Sequence, residues 1–317
     1  MFQNRLFSYL QKQLNIPIKE ILQIRKQVYK VNAEGIDFIL KGFSSYHQLV
    51  LQKDFLTWLK REGFQKTYSF YPLEKNPPLL FEQTYYGCLE FIETSKNEFT
   101  FYKQSDRLNG LKLLSHFHDV NEKLVKQYTG NIPSFNQLGK WQERTMSFLN
   151  NLPVIRYFVQ KEIINDMLIW ADWSLKGLEK ELNVFENGKK VILHGDVAHH
   201  NFLRSKNKDI YLIDFDLISI GTPRSDCLQY ANRILPFIHW SFQELGNYKE
   251  IAAYLNEKGF IYALAFPTDI FREWNRAIRE QTYLQSTKIQ QLLEMTVGQF
   301  QQRHSFIKEL QRFLHVK

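Results

Sequence analysis

Cysteine is almost missing from this chain: only Cys88 and Cys227 occur in 317 residues. That excludes a disulfide scaffold and any four-cysteine zinc site, and it suits a reducing compartment. Long hydrophobic runs are missing too. The longest, Phe260 to Phe266, has seven residues and stops at Pro267, far short of the roughly twenty a spanning helix needs. The first residues, MFQNRLFSYLQKQLNIP, hold neither an apolar core nor a small-residue cleavage site, so no signal peptide is expected. Internal repeats and low-complexity tracts are not seen. No P-loop, G-x-G-x-x-G, G-x-S-x-G, H-E-x-x-H or C-x-x-C occurs, which removes the usual marks of Rossmann, hydrolase, metalloprotease and redox chemistry. These absences lead to an expectation of a cytoplasmic protein without a membrane partner.

What is present looks globular. Hydrophobic residues make up 44% and charged residues 23%, while aromatics reach 15%, so ring packing should fill the core. The length suggests about two domains. The formal net charge is +8, and residues 1–66 carry eleven Lys/Arg against five Asp/Glu. Such a basic segment suits an anionic partner, a nucleotide phosphate or a nucleic acid. No like-charge run is dense enough for a nucleic-acid arm, so no nucleic-acid partner is expected.

The first third reads as strands with one helix. Two β-rich runs flank Ala33-Glu34-Gly35 between Gln27 and Phe43, a hairpin with a glycine in its turn. A helix is expected over Tyr46–Glu62, capped by Gly63. Leu79–Phe81 and Gly87–Ile92 add strands after a turn-rich stretch with Pro72 and Pro77-Pro78. Beyond about residue 94 the spacing turns helical, with one long amphipathic helix expected from Val154 to Leu182. The expected boundary divides a small strand-rich part, 1–93, from a larger helical part, 94–317.

A short β-island interrupts the helices. Residues 191–216 read VILHGDVAHHNFLRSKNKDIYLIDFD: a loop, a hairpin, and Asp214 at the mouth of the second strand. A metal-bound phosphate needs hard oxygen ligands, and Mg²⁺ takes only one or two from protein. Asn201 and Asp214, joined across the hairpin, would supply one neutral and one anionic oxygen. Asp196 would accept the proton of an attacking hydroxyl. The Asp-x₄-Asn spacing is that of a kinase catalytic loop, with a later metal-binding aspartate. Lys41 stands in an otherwise apolar strand before a helix, where a lone lysine is either a solvated strand end or a functional group.

H-G-D-V-A-H-H-N followed by I-D-F-D resembles the aminoglycoside phosphotransferase and choline kinase superfamily. The doubled His199-His200 and the IDFD ending look most like the spore-coat-associated, CotS-like branch. The resemblance implies an α+β, two-lobed, protein-kinase-like fold with nucleotide between the lobes. It implies ATP and Mg²⁺ as cofactors, an unidentified small-molecule acceptor, and spore-coat proteins as further partners. Phe38-Ile39-Leu40-Lys41 resembles the lysine strand. Leu89–Glu93 resembles the hinge, with Glu90 and Ile92 as nucleotide-contacting positions. Leu113–His118 resembles the helix that follows, and Asp226 an aspartate that caps the next helix and orders the loop. The implied activity is phosphoryl transfer to a small-molecule hydroxyl: Asp196 as catalytic residue, Lys41 on the α/β-phosphates, Asn201 and Asp214 on the metal.

Two features depart from that pattern. Arg25-Lys26-Gln27-Val28, before the lysine strand, contains no glycine to let a backbone close over phosphates. Gln48, Gln52, Lys53 and Asp54 stand where a glutamate would pair with the lysine, Asp54 being the nearest acid. They support a second reading, a weak or inactive kinase-like structural protein of the spore coat. His194, His199 and His200 read as structural rather than zinc-binding, and Asp216 as either a metal contact or a turn-ordering group. The tryptophans read as helix packing. The acceptor pocket is expected from the 119–153 segment and the helices after residue 227. There, Asp269, Glu273 and Glu280 would either face a cationic substrate or form a solvated face.

Overall fold

The computed structural model describes residues 2–73, 78–181 and 183–316. Pro77 of the turn-rich stretch, and Leu182 at the end of the expected long helix, lie outside them.

A five-stranded antiparallel sheet forms the first part, in the order β1-β2-β3-β5-β4. Its strands are β1 (Ile18–Arg25), β2 (Val28–Ala33), β3 (Ile36–Phe43), β4 (Leu79–Phe81) and β5 (Thr84–Glu90). Successive side chains alternate faces in a strand. Tyr29, Val31, Phe38 and Leu40 are therefore buried together on one face. Against them lies α1 (Phe2–Leu14), whose Leu6, Leu10 and Leu14 recur every four residues and are buried. That helix is absent from the expectation of one helix in the first third. The same alternation sends Ile39 and Lys41 to the opposite face.

On that side α2 (Tyr46–Arg61) begins at Ser45, whose hydroxyl accepts the Gln48 N–H at 3.1 Å, a side-chain N-cap. Its buried Phe55, Leu56 and Leu59 join the core of the helical part, with Phe55 edge-on to Phe117, Tyr128 and Phe215. This helix ties the sheet to the rest of the molecule.

The helical part is built on α3 (Gln104–Asn121), α4 (Gln137–Asn150), α5 (Lys161–Lys180), α6 (Pro223–Ile234), α7 (Thr268–Arg279) and α8 (Phe300–Val316). The single helix expected from Val154 is two: a turn at Leu152–Ile155, opened by Pro153, and then α5 after a non-helical Gln160. Stacked rings join the helices, Trp141 on Phe266 at 4.3 Å and Phe148 on Phe271 at 4.0 Å. Trp274 is fully buried, Trp170 stacks on Phe300 and Trp173 meets Tyr262. No helix among the described residues is long and apolar enough to cross a membrane.

Four short strands sit within this helical frame. β6 (Val191–Leu193) pairs antiparallel with β9 (Ser219–Gly221), and between them β7 (Phe202–Arg204) pairs with β8 (Ile210–Leu212). Both loops that carry acids, 194–201 and 213–218, leave from these strands.

Candidate active site

The loop after β6 is fixed from several sides. Asn121 of α3 brackets Ile192, its amide donating to the carbonyl and its oxygen accepting the N–H, each at 2.8 Å. Asp226, buried in the first turn of α6, accepts the N–H groups of His194 and Gly195 and pairs with His118 Nε2 at 2.9 Å. Burial alone would raise the Asp226 carboxyl, but His118 and His194 hold it below the usual carboxylate range. Asp226 thus orders the loop as expected, although it stands inside the helix and does not cap it; Thr222 precedes the first turn.

His194 is buried and structural. Its Nε2 lies 2.9 Å from the Ile213 carbonyl while Nδ1 accepts the Asp196 N–H at 3.3 Å, a pattern that fits the neutral Nε2–H tautomer. Burial pushes its pKa down, in agreement. The ring thereby ties the Asp196 loop to the strand that ends at Asp214. Gln229 adds a second brace, accepting from the Val197 N–H and donating to the Gly195 carbonyl. Among the described residues no three His, Cys, Asp or Glu side chains are grouped to hold a metal by themselves.

Asp196 and Asn201 come together: Asn201 Nδ2 donates to the Asp196 carbonyl at 2.8 Å and to its carboxylate at 3.3 Å. The other carboxylate oxygen accepts from Arg233 Nη2 at 2.9 Å. Sequence reasoning missed Arg233, an unremarkable basic residue of α6.

Lys41 crosses from the sheet to the second acidic loop. Its ammonium is buried and donates to Asp214 Oδ1 at 3.0 Å and Asp216 Oδ1 at 2.6 Å. Arg25 Nη2 takes the remaining Asp214 oxygen at 2.6 Å. Burial would raise the Asp214 carboxyl, yet Lys41 and Arg25 hold it well below its ordinary value. Asp214 also sits at φ +70°, in the left-handed region that non-glycine residues avoid. The helix acid expected for Lys41 is elsewhere: Asp54 accepts from Tyr128 at 2.8 Å. The pairing falls instead to Asp216, which Gln52 of α2 holds through a 2.6 Å hydrogen bond.

Arg25, Lys41 and Asp214 line a cavity of about 520 Å³ between the sheet and the β7–β8 hairpin. Val28, Ile39, Leu89, Leu203 and Ile213 give it apolar walls; Arg25, Lys41, Asn201 and Asp214 give it one polar region. Glu90 and Ile92 both line it, the Glu90 carboxylate accepting the Ser69 N–H at 3.0 Å. The donor set fits Mg²⁺, with a carboxylate from Asp214 and an amide oxygen from Asn201, whose nitrogen is turned to Asp196. The glycine-free turn is closed by Gln27 at φ +58°, a conformation glycine would reach without strain.

A second cavity of about 620 Å³ opens on the other side of Asp196, between α4, α6 and α7. Asp269 and Glu273 line it, but neither is a free acid. Arg303 holds Asp269 through both oxygens, and Glu273 is bonded by Arg276 and Lys288. Glu280 lies at the exposed end of α7 beside Arg279.

Residues 160–242 match the phosphotransferase enzyme family. Over nearly its whole length the chain is similar to several solved structures. An aminoglycoside phosphotransferase from Alicyclobacillus acidocaldarius superposes with a TM-score of 0.70 at 16% identity, covering 95% of this chain and 93% of that one. Spectinomycin phosphotransferase, in an AMP-bound complex, gives 0.63 at 16%, covering 97% and 94%. A choline kinase from Streptococcus pneumoniae gives 0.53 at 13%, covering 97% and 99%. At such identities the likeness speaks for the fold. The chain has a kinase-like α+β fold, an N-terminal antiparallel sheet set on a larger helical part.

Proposed function

We propose that the chain is an ATP- and Mg²⁺-dependent phosphotransferase acting on the hydroxyl of a small molecule. One observation carries the reading. Lys41 of the sheet meets Asp214 of the helical part at 3.0 Å on the polar side of an apolar cleft, with Asn201 lining the same cleft. The match of residues 160–242 to a phosphotransferase family supports it, as does the neighbour solved with AMP. Residues 1–93 and 94–317 act as the two lobes, Glu90 and Ile92 lying at the hinge between them.

Bound Mg²⁺-ATP supplies the phosphoryl group: the acceptor oxygen bonds to the terminal phosphorus, the terminal phosphoanhydride bond breaks, and ADP leaves. Asn201 and Asp214 hold the metal. Lys41 turns from the carboxylates toward the α/β-phosphates. Asp196 orients the acceptor hydroxyl and takes its proton. Catalysis rests on placement and charge compensation rather than on a covalent enzyme intermediate.

Titration calorimetry with Mg²⁺-ATP, beside an Asp214→Asn variant, tests the reading. Saturable metal-dependent binding that the variant loses supports it; no binding up to millimolar ATP by folded protein overturns it. Asp196→Asn should keep nucleotide binding and lose about 10²- to 10⁴-fold in turnover.

A second reading rests on a specific observation: each key acid is held by an arginine, Asp214 by Arg25 and Asp196 by Arg233. Under it the chain is a low-turnover, kinase-like component of the spore coat. The doubled His199-His200 and the Ile213–Asp216 run support this branch. Nucleotide binding without turnover against any hydroxyl acceptor would favour it.

A further inference from the structure

The cavity beside Asp196 is lined by more basic groups than its acids neutralise. Lys140 and Arg144 reach it from α4, Arg233 from α6, and Arg272 and Arg276 from α7, against Asp196, Asp269 and Glu273. Two of these acids are committed to cations from outside the lining. Arg303 takes Asp269 at 3.0 and 2.5 Å, and Lys288 shares Glu273 at 3.0 Å. Asp196 is matched by Arg233. Among the described residues Arg272 has only a 3.2 Å contact to Glu273, which Arg276 and Lys288 also bond.

Arg144 and Lys140 have no carboxylate partner among the described residues. The Arg144 guanidinium donates only to neutral oxygens of Thr268, and Lys140 stands 5.0 Å from the Phe135 ring centroid. Burial and the neighbouring Arg272 guanidinium push both Arg144 and Arg233 down to about 10. Like charges are thus crowded in a partly desolvated space, a costly arrangement unless a counter-charge arrives. A further observation lies on the α6 wall, where Asn232 Nδ2 and Arg233 Nε are buried donors without a hydrogen-bond partner among the described residues.

We infer that this cavity binds an acceptor that is itself an anion: a small polyol or sugar bearing a carboxylate or phosphate, held by Arg144, Arg233 and Arg272, with its hydroxyl toward Asp196. Guanidinium forks suit both anions, and the inference rests on the phosphotransferase reading above only for the role of the hydroxyl. A polyamine such as an aminoglycoside meets repulsion in this cavity. The anion also gives Arg233 an alternative partner, which leaves the Asp196 carboxylate available to accept the hydroxyl proton.

Calorimetry on the full chain, with ADP and Mg²⁺ present to occupy the cleft, tests the inference. The probes are glucose 6-phosphate, gluconate, glucose and kanamycin. The expected result is that at least one of the two anions binds and that glucose and kanamycin bind more weakly. Its identity separates phosphate from carboxylate recognition. Arg144→Met should weaken that binding about tenfold, the scale of one charge-assisted contact. Lys140→Met, at an exposed position, should weaken it by a smaller factor and serves if Arg144→Met does not fold. Anions binding no better than glucose, kanamycin binding best, or anion affinity unmoved by a folded variant would each overturn the inference. ADP binding in the same cell is read separately, so its loss counts against the phosphotransferase reading and not against this one.

Discussion

Arg25 Nη2 lies 2.6 Å from Asp214 Oδ2, across the boundary between the sheet and the β8 loop. The guanidinium occupies the carboxylate face that Lys41 leaves open, so the acid proposed to hold metal is enclosed by two cations. Arg25 is half exposed, and solvent screening keeps the pair to at most about 1 kcal/mol. The folded pKa of Asp214 lies below its unfolded value. Its stabilising contribution is therefore present above about pH 4 and fades as the pH falls further. Arg25→Met should be slightly less stable than the parent at about pH 7 in low salt, with the gap narrowing as salt is raised, because the folded carboxylate stays ionised and only screening weakens the pair. Urea midpoints at low and high salt check this; a gap that salt does not change would mean the pair contributes nothing through charge.

Gly195 has φ +79°, and a Cβ there would lie 2.2 Å from the Leu217 carbonyl oxygen. That obstacle is backbone, not a side chain able to swing away. Gly195→Ala should shift the 194–197 loop away from the Asp214 loop and displace Asp196. The core does not depend on this contact. Far-UV circular dichroism should be preserved while turnover falls by more than tenfold, roughly what a misplaced reacting group costs. Normal turnover in a folded variant would show that the loop tolerates the move.

Asp226 is a different kind of support, a buried carboxylate accepting from two backbone N–H groups and facing His118. Asp226→Asn puts an amide nitrogen where only donors converge. The expected loss is about 2–3 kcal/mol, the scale of a charged buried hydrogen-bond network losing its acceptor. A guanidinium denaturation midpoint measures it, and hydrogen exchange at residues 194 and 195 should quicken more than at the sheet.

How far the sequence reveals these relationships depends on their range. Lys41 is legible because alternation in β3 puts it opposite Phe38 and Leu40, and Asp196 and Asn201 because six residues of one loop hold both. The β7–β8 hairpin is legible from its two apolar runs and polar turn. The helix α1 is not among the expected elements, although Leu6, Leu10 and Leu14 carry a four-residue stripe. The break before α5 is hidden because Phe158 and Val159 continue the apolar spacing, and Pro153 marks only the turn ahead of it. Arg25 and Asp214 are 189 residues apart, and no local pattern links them. The cationic cavity is built by α4, α6 and α7, whose single basic residues each resemble an ordinary solvated face.

Gln52 is a sharper case, because it stands where a glutamate would be expected to hold Lys41. Its Nε2 and the Lys41 ammonium both donate to Asp216 Oδ1 at 2.6 Å, and its Oε1 is buried without a partner among the described residues. Asp216 already supplies the acid, so a second one on α2 would crowd three carboxylates around one buried ammonium. Gln52→Glu should therefore be destabilising at neutral pH. The introduced carboxyl would have a folded pKa above its unfolded one. Its penalty should be absent below about pH 4, grow as the pH rises past that value, and be complete above the folded pKa. Adding Asp216→Asn should recover most of the loss at pH 7, since Lys41 then keeps two acids and the new amide can donate to the introduced carboxylate. Thermal melts of the single and double variants decide the point. A double variant no more stable than Gln52→Glu alone would mean that position 52 cannot reach Lys41, and that Asp216 is its only workable partner beside Asp214.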